Sequence, residues 1–145
     1  MQEIATLVAQ YNEKDRKIKS ANVYRKQIFT KIKQYIQNQM DINDIILLGD
    51  LNQSIYSSEV KSFYNKLGLK DIYQWYNKIE EGQMNNTCMI GSEPIDSVAA
   101  TINILQIVEG CKLIETNDII ITDHRSHIIN FNFEEYFCEQ FSDWD

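Results

Sequence analysis

The stretch that most constrains the fold of this chain is residues 45–52, Ile-Ile-Leu-Leu-Gly-Asp-Leu-Asn. Its run of apolar residues before Gly49 predicts a short strand buried on both faces, because the run is too short for a helix core. The strand ends on a carboxylate, Asp50, and a carboxamide, Asn52. Ligands collect at such strand ends in α/β sheets, so this end of the strand is the first candidate site.

Two amphipathic helices are predicted on either side of this strand. In residues 21–39 apolar side chains recur at helical spacing, which predicts a helix with a buried stripe. The stripe consists of Tyr24, Ile28, Ile32, Tyr35 and Ile36. Residues 58–67 predict a second helix that is capped by Ser57 or Ser58 and ended by Gly68. Its apolar stripe consists of Val60, Phe63, Tyr64 and Leu67.

The other segments add strands and short helices. Extended segments are predicted at 4–11, 95–103, 112–122 and 127–133. A short helix is expected at 71–76, a loop at 77–93 and a helical cap in the acidic, aromatic tail 134–145. Helices and strands intermix, which favours one α/β layered domain over a helical bundle or an all-β sandwich.

Composition limits the classes of protein that this chain can belong to. A chain of 145 residues with 43% hydrophobic residues is long enough for one domain with a packed core. No apolar run is long enough to span a membrane, so we expect an intracellular protein, nuclear or cytoplasmic. The net charge of −7 excludes a nonspecific nucleic-acid coat, but it is compatible with a nucleic-acid enzyme that binds a divalent cation. The three cysteines, Cys88, Cys111 and Cys138, are expected to be buried free thiols.

Three polar positions in or at the ends of predicted strands are candidates for chemistry. They are Asp50 with Asn52, Asp96 in the strand at 95–103, and Asp123 with His124. Each has an ordinary explanation when it is taken alone, because Asp and Asn are common in turns and at strand ends. Only their joint order points to a function.

That order resembles the second half of the endonuclease/exonuclease/phosphatase superfamily. The family's Gly-Asp-(Phe/Leu)-Asn motif matches residues 49–52, its Ile-Asp-x-(Ile/Val) motif matches 95–98, and its (Ser/Thr)-Asp-His motif matches 122–124. The segment Tyr-Arg-x-Gln in the first predicted helix is similar to the nucleic-acid-cleaving branch. The end of the chain is most like the retroelement-type or apurinic-site-type endonuclease domains.

The resemblance implies hydrolysis of DNA phosphodiesters with Mg²⁺ or Mn²⁺, metals that suit oxygen ligands. It implies that Asp50 orients or deprotonates the attacking water and that Asn52 holds this water or the phosphate. His124 would donate to a phosphoryl oxygen, and Asp96 would accept from the other imidazole nitrogen and raise the pKa of the histidine. Asp123 would lie near the metal, as a ligand or through water.

Three further residues have weaker signals. Tyr11, at the end of the predicted first strand, is a candidate for phosphate contact and equally a candidate for the core. His127 alternates with Ile129 and Phe131, which predicts a partly buried histidine in a strand. Arg125 could contact a phosphate backbone or lie at the surface.

The resemblance covers nearly all of this chain but only about half of the family's domain, so we expect a partial domain, one half of a four-layer α/β sandwich. It implies a mixed, mostly antiparallel sheet with helices on one face. The other half carries the Glu that is the principal metal ligand, and neither Glu3 nor Glu13 stands in the family's Gln-Glu context. Mg²⁺ binding and hydrolysis by the chain alone are therefore expected to be weak or absent. We also expect one apolar sheet face to be exposed, or covered by a partner or a second copy of the chain.

Two other functions remain open from the sequence. One is a catalytically silent fragment that keeps the fold and acts as a binding or interaction module. The other is a phosphatase that acts on a small phosphorylated or lipid substrate, for which the acidic charge is suitable. The Tyr-Arg-x-Gln segment favours the nucleic-acid branch over this phosphatase.

Overall fold

The computed structural model describes residues 21–40, 43–114 and 122–141. The chain divides after Tyr35 into two compact units. In chain order the helices are α1 (Ala21–Gln37), α2 (Ser58–Lys66), α3 (Ile72–Tyr76), α4 (Ile102–Gln106) and α5 (Phe133–Phe141). The strands are β1 (Ile46–Asp50), β2 (Lys70–Asp71), β3 (Asp96–Ala100), β4 (Val108–Ile114) and β5 (Ser126–Phe131).

The predicted α/β class is confirmed. Strands β1, β3 and β2 form a three-stranded sheet in that order, and β4 pairs with β5 in a two-stranded sheet. All of these described pairings are antiparallel. That the chain is a single partial domain, half of a four-layer sandwich, stays a prediction.

Strand β1 forms where it was predicted, but the expectation that both of its faces are buried was wrong. Leu48 is 70% exposed and Ile46 is 39% exposed. Side chains two residues apart in a strand lie on the same face, so Ile46, Leu48 and Asp50 share one face of β1. An apolar surface next to the carboxylate at the strand end is therefore open, as the predicted exposed sheet face requires.

The predicted strand at 95–103 is shorter than expected, because a helix begins inside it. Thr101 ends β3: its hydroxyl accepts from the N–H of Ile45 and donates to the carboxylate of Asp44. Helix α4 follows directly and buries Ile104 and Leu105. A short apolar run has no period that separates a strand from a helix, which is why the sequence pattern misled us here.

The last strand also ends earlier than predicted, because a helix begins inside the predicted range. The prediction placed 127–133 in one strand, but β5 ends at Phe131 and Phe133 begins α5. The side chain of Asn132 accepts from the N–H of Glu135, which satisfies a free donor in the first turn of the helix. Helix α5 is the helical cap that the tail predicted.

Helix α2 has the ends that its sequence predicted. The hydroxyl of Ser57 accepts from the N–H of Val60, and this confirms Ser57 as the cap. At the other end Gly68 has a φ of +60°, and the N–H groups of Gly68 and Leu69 donate to the carbonyls of Asn65 and Tyr64. This pair of bonds closes a Schellman motif, whose left-handed residue is best supplied by glycine.

Helix α1 agrees with its predicted range, but part of its predicted stripe is exposed. Ile36 is buried, whereas Tyr35 is 65% exposed and Ile28 is 37% exposed. The expectation that Tyr35 is a core residue was therefore wrong. The predicted strand at 4–11, with Tyr11, lies outside the described residues.

The core of the second unit lies where α3, α4 and β4 meet. Its buried members are Ile72, Ala100, Ile104, Leu105, Ile107, Val108 and Cys111. Cys88 is also buried, whereas Cys138 is exposed, so the expectation of three buried thiols was wrong for Cys138. No helix in the described ranges is long and apolar enough to cross a membrane.

A buried carboxylate, Asp71, joins the three-stranded sheet to helix α3. It is 5% exposed, accepts from the N–H of Gln74 as the helix cap and accepts from the hydroxyl of Ser97 on β3. Burial raises the pKa of Asp71 above its ordinary value, although the hydrogen bonds from Ser97 and Gln74 and the charge of His127 oppose this shift. Hydrogen bonds thus hold this carboxyl group in a place that disfavours its charge.

Replacing Asp71 should change how the stability of the chain depends on pH, because burial disfavours the charge of Asp71 while hydrogen bonds favour it. Because its folded-state pKa is raised, the wild-type chain loses stability as the pH rises from about 4 through the raised value. Asp71→Asn cannot ionise, so its stability relative to wild type should increase over that window in urea unfolding experiments. Asp71→Ala removes the cap and the partner of Ser97, and should lower the free energy of unfolding by about 1–3 kcal/mol.

His127 is coupled to Asp71 and contributes to the same pH dependence. Burial lowers the pKa of His127, although the charges of Asp71 and Asp96 oppose this shift, so stability is lost as the pH falls below about 6.5. The two proteins are therefore also compared in a His127→Gln background, where the remaining difference reports on Asp71 itself. Parallel stability curves from about pH 4 to about pH 8 would contradict a raised pKa for Asp71.

Candidate active site

Two aspartates face each other at one end of the three-stranded sheet. Asp50, the last residue of β1, is paired in register with Asp96, the first residue of β3. The N–H of Leu51 donates to the carbonyl of Ile95 at 2.8 Å, so the adjacent Asp50 and Asp96 form a non-hydrogen-bonded pair, the kind in which side chains are closest. Like charges directly opposite each other destabilise a sheet. A cationic group between the two carboxylates would relieve this repulsion.

The turn after β1 orients one of these carboxylates. Asn52 has a φ of 49°, in the left-handed region that asparagine tolerates better than most residues. Its N–H donates to Oδ1 of Asp50 at 2.7 Å. The side chain of Asn52 lies at the exposed turn, and its backbone N–H makes the contact that positions Asp50.

His124 supplies the third member of the site. Its Nδ1 lies 2.8 Å from Oδ2 of Asp96, and because a carboxylate accepts, the proton is placed on Nδ1. The hydrogen bond that His124 donates to Asp96 and the charges of Asp96, Asp123 and Asp50 raise the pKa of His124, although desolvation opposes them. Nε2 is left to face other groups, and the side chain is 33% exposed. The predicted contact between His124 and Asp96 is therefore present.

The backbone holds His124 in place through the loop at residues 87–89. Cys88 and His124 form an isolated antiparallel bridge. It is flanked by hydrogen bonds from the N–H of Met89 to the carbonyl of Asp123 at 2.8 Å, and from the N–H of Arg125 to the carbonyl of Thr87 at 2.7 Å. These bonds join the predicted loop at 77–93 to the Asp-His-Arg segment.

Thr87 is a positioning residue that the sequence did not reveal. It is fully buried, and its hydroxyl accepts from the N–H groups of Ile95 and Asp96, each at 2.9 Å. Because its carbonyl also accepts from Arg125, Thr87 fixes the segments that carry both Asp96 and His124. A threonine in a polar loop gives no pattern from which this role could be predicted.

Two groups of side chains have the donors for a metal ion. Ligand atoms of Asp50, Asp96 and His124 lie within 4.8 Å of one another, and so do those of Cys88, Asp123 and His124. The first group offers two carboxylates, whose oxygens fit Mg²⁺ or Mn²⁺. It contains no glutamate among the residues that the structure describes, and a small count of charged ligands predicts weak binding.

The other candidate residues lie around this centre. Oδ1 of Asp123 is 3.8 Å from Nε2 of His124, and Asp123 is grouped with Cys88 rather than with Asp50. His127 is a half-buried strand residue, as predicted, and its ring contacts that of Tyr73 edge to face. Cys88 was not predicted as a site residue, because no neighbouring cysteine or histidine marks it as a ligand in the sequence.

Comparison with known proteins gives similarity in structure without similarity in sequence. No family model and no curated protein matches the sequence. The structure is similar to the 3′-5′ exonuclease NExo from Neisseria meningitidis, with a TM-score of 0.62 and 16% identity over 79% of this chain. It is equally similar to a variant of NExo from Neisseria, described as a 3′ phosphatase bound to product DNA hairpin, with a TM-score of 0.63 and 16% identity.

In both comparisons the match covers 56% of the NExo chain, so this chain spans little more than half the length of the protein that it resembles. An identity of 16% carries no residue roles across, but the TM-scores exceed what unrelated topologies give. The chain therefore has an α/β fold that it shares with part of NExo.

Proposed function

We propose that this chain carries the phosphate-binding and water-activating part of a site that hydrolyses DNA phosphodiester bonds with Mg²⁺ or Mn²⁺. The observation that carries the proposal is the pair of Asp96 and His124, at 2.8 Å, opposite Asp50. A histidine held by one carboxylate, beside a second carboxylate that is free to act on water, is suited to phosphoryl transfer.

In this proposal His124 binds the substrate phosphate. With Nδ1 donating to Asp96, Nε2 is directed away from that carboxylate and can donate to a phosphoryl oxygen when the ring is protonated. Asp96 acts through His124: it fixes the orientation of the ring and favours the charged form. The hydrogen bond to a phosphoryl oxygen then strengthens as negative charge builds in the transition state.

Asp50 acts on the attacking water. Its Oδ1 accepts from the N–H of Asn52, which fixes the carboxylate at the end of β1 and leaves lone pairs for a water molecule. Asn52 and Asp123 are both at the surface of the site, where Asn52 would contact the water or the phosphate and Asp123 would hold the metal. A bound Mg²⁺ would neutralise charge on the phosphoryl and leaving oxygens.

The structural comparisons support this class of reaction. NExo is named as a 3′-5′ exonuclease and as a 3′ phosphatase bound to product DNA hairpin. The second name favours one further candidate, the removal of a terminal phosphate from DNA. Both reactions need the same groups, since each places a water molecule opposite a leaving oxygen on phosphorus.

A binding module without activity is the competing proposal. It is supported by the small number of carboxylates around His124 and by the exposed apolar face of β1, with Leu48 70% exposed. This face would accept a protein partner or a second copy of the chain.

The assay that tests the proposal uses supercoiled plasmid and two end-labelled duplexes, one with a 3′-hydroxyl and one with a 3′-phosphate. Each is incubated with the chain in Mg²⁺, Mn²⁺ or EDTA. We expect slow, metal-dependent conversion of at least one substrate, and the product distinguishes nicking, exonucleolytic shortening and phosphate release. No conversion of any substrate in either metal would favour the binding module.

A further inference from the structure

Cys88 faces His124 across the bridge that joins the 87–89 loop to the Asp-His-Arg segment. The two residues are paired, and the flanking hydrogen bonds of Met89 and Arg125 make them a non-hydrogen-bonded pair, so their side chains lie close together. Sγ of Cys88, a nitrogen of His124 and an oxygen of Asp123 lie within 4.8 Å of one another. The proposed hydrolysis uses no thiol, so Cys88 has no part in it.

The hydrogen bond between His124 and Asp96 fixes Nδ1 as the donor, so Nε2 is the nitrogen that can bind a metal once its proton is lost. Histidines that bind metals in proteins usually donate their other ring N–H to a carboxylate, which fixes the tautomer and the direction of the free lone pair. Nδ1 of His124 is 2.8 Å from Asp96, and Nε2 is directed toward Asp123, 3.8 Å away. The carboxylate–histidine half of such a site is therefore already assembled.

We propose that Cys88, Asp123 and His124 form a binding site for Zn²⁺, distinguished by its thiolate from the group of Asp50, Asp96 and His124 that suits Mg²⁺. A thiolate, an imidazole and a carboxylate are the ligands that zinc prefers, and a thiolate is a poor ligand for Mg²⁺. Ligand atoms around tetrahedral zinc lie about 3.3–3.7 Å apart, so the donors must approach by about 1 Å. Asp123 can supply this movement, because its side chain is 56% exposed.

The surroundings suit an open, three-ligand site. Cys88 is only 8% exposed, so its sulfur is shielded on one side, whereas Asp123 leaves the other side open to solvent. A fourth position is thus available for water or a phosphate oxygen.

Bound zinc would also inhibit DNA hydrolysis. It would occupy Nε2 of His124, the nitrogen proposed to bind the substrate phosphate. This inhibition rests on the proposed function, but the binding of zinc does not.

Zinc binding is tested by calorimetry in a Cys138→Ser background, which removes the exposed thiol. We expect one Zn²⁺ per chain, and a dissociation constant that rises at least about tenfold in Cys88→Ser and in Asp123→Asn. Cys111→Ser is the matched control, because Cys111 is buried in the core and belongs to neither group of metal ligands. With Co²⁺ the same chain should show a thiolate-to-metal charge-transfer band that Cys88→Ser lacks.

The outcomes separate this site from the hydrolytic function. Zinc binding that survives Cys88→Ser and Asp123→Asn unchanged, or a cobalt spectrum without thiolate absorption, overturns the proposal. The exposed Asp123 can be replaced without disturbing the core, so its variant still decides the question if Cys88→Ser fails to fold. Where DNA hydrolysis is measurable, zinc should inhibit the wild-type chain more strongly than Cys88→Ser.

Discussion

Replacing His124 by alanine is expected to lower the rate of DNA hydrolysis by about 10²–10³-fold, the usual cost of losing one donor to a developing oxyanion. Nε2 of His124 makes no contact with Asp96 and the side chain is 33% exposed, so Nε2 can make the proposed contact with the phosphate. The measurement is the initial rate of plasmid or duplex cleavage in Mg²⁺ at equal protein concentration.

The control for this variant is His127→Gln. His127 is the other histidine of the chain and lies in β5, where its ring contacts Tyr73, so its replacement should change stability more than the rate. Circular dichroism of both variants excludes unfolding as the cause of a lost rate. Equal rates in wild type and His124→Ala, or no hydrolysis in either, would remove catalysis by His124 in this chain.

Replacing Leu105 by alanine is expected to lower the free energy of unfolding by about 2–5 kcal/mol, the range found for buried leucines. Leu105 is fully buried in α4, in the cluster that joins α3, α4 and β4. Its loss leaves a cavity that this cluster can fill only in part. Urea unfolding followed by tryptophan fluorescence measures the change.

Ile102→Ala is the matched control, because Ile102 lies on the same helix and is 50% exposed. Both variants replace a large aliphatic residue of α4 by alanine, which raises helix propensity in each case. The difference between their free energies of unfolding therefore reports on burial. Ile102→Ala should change the free energy of unfolding by about 0.5 kcal/mol or less. Equal effects for the two variants would mean that α4 is not packed as the structure describes.

Local signals were enough to predict the helices with clear ends. Ser57 and Gly68 act on groups within four residues of themselves, so the bounds of α2 could be predicted from sequence alone. The end of β3 could not, because Thr101 binds Ile45 and Asp44, which are more than fifty residues away in the chain. Exposure was also missed at Leu48 and Tyr35, since an apolar pattern does not say which neighbours are present.

The residues of the candidate site also fall into those that the sequence predicted and those that it did not. Asp50, Asp96 and His124 were predicted because three short motifs occur in a fixed order, and the structure brings them together. Thr87 and Cys88 were not predicted, because hydrogen bonds and a bridge to distant segments place them beside the site. Residues that hold a site in place need only the right position in space, and their spacing along the chain carries no signal.

The opposed pair of Asp50 and Asp96 lowers the stability of the sheet at the position of the proposed site. Facing carboxylates lower the stability of the β1–β3 ladder, and Asp50→Asn would remove this repulsion while its side-chain oxygen still accepts from the N–H of Asn52. Screening variants for thermal resistance alone should therefore enrich substitutions at position 50, at the cost of the proposed function. A stabilised version of this protein would best be engineered elsewhere, with both aspartates held constant.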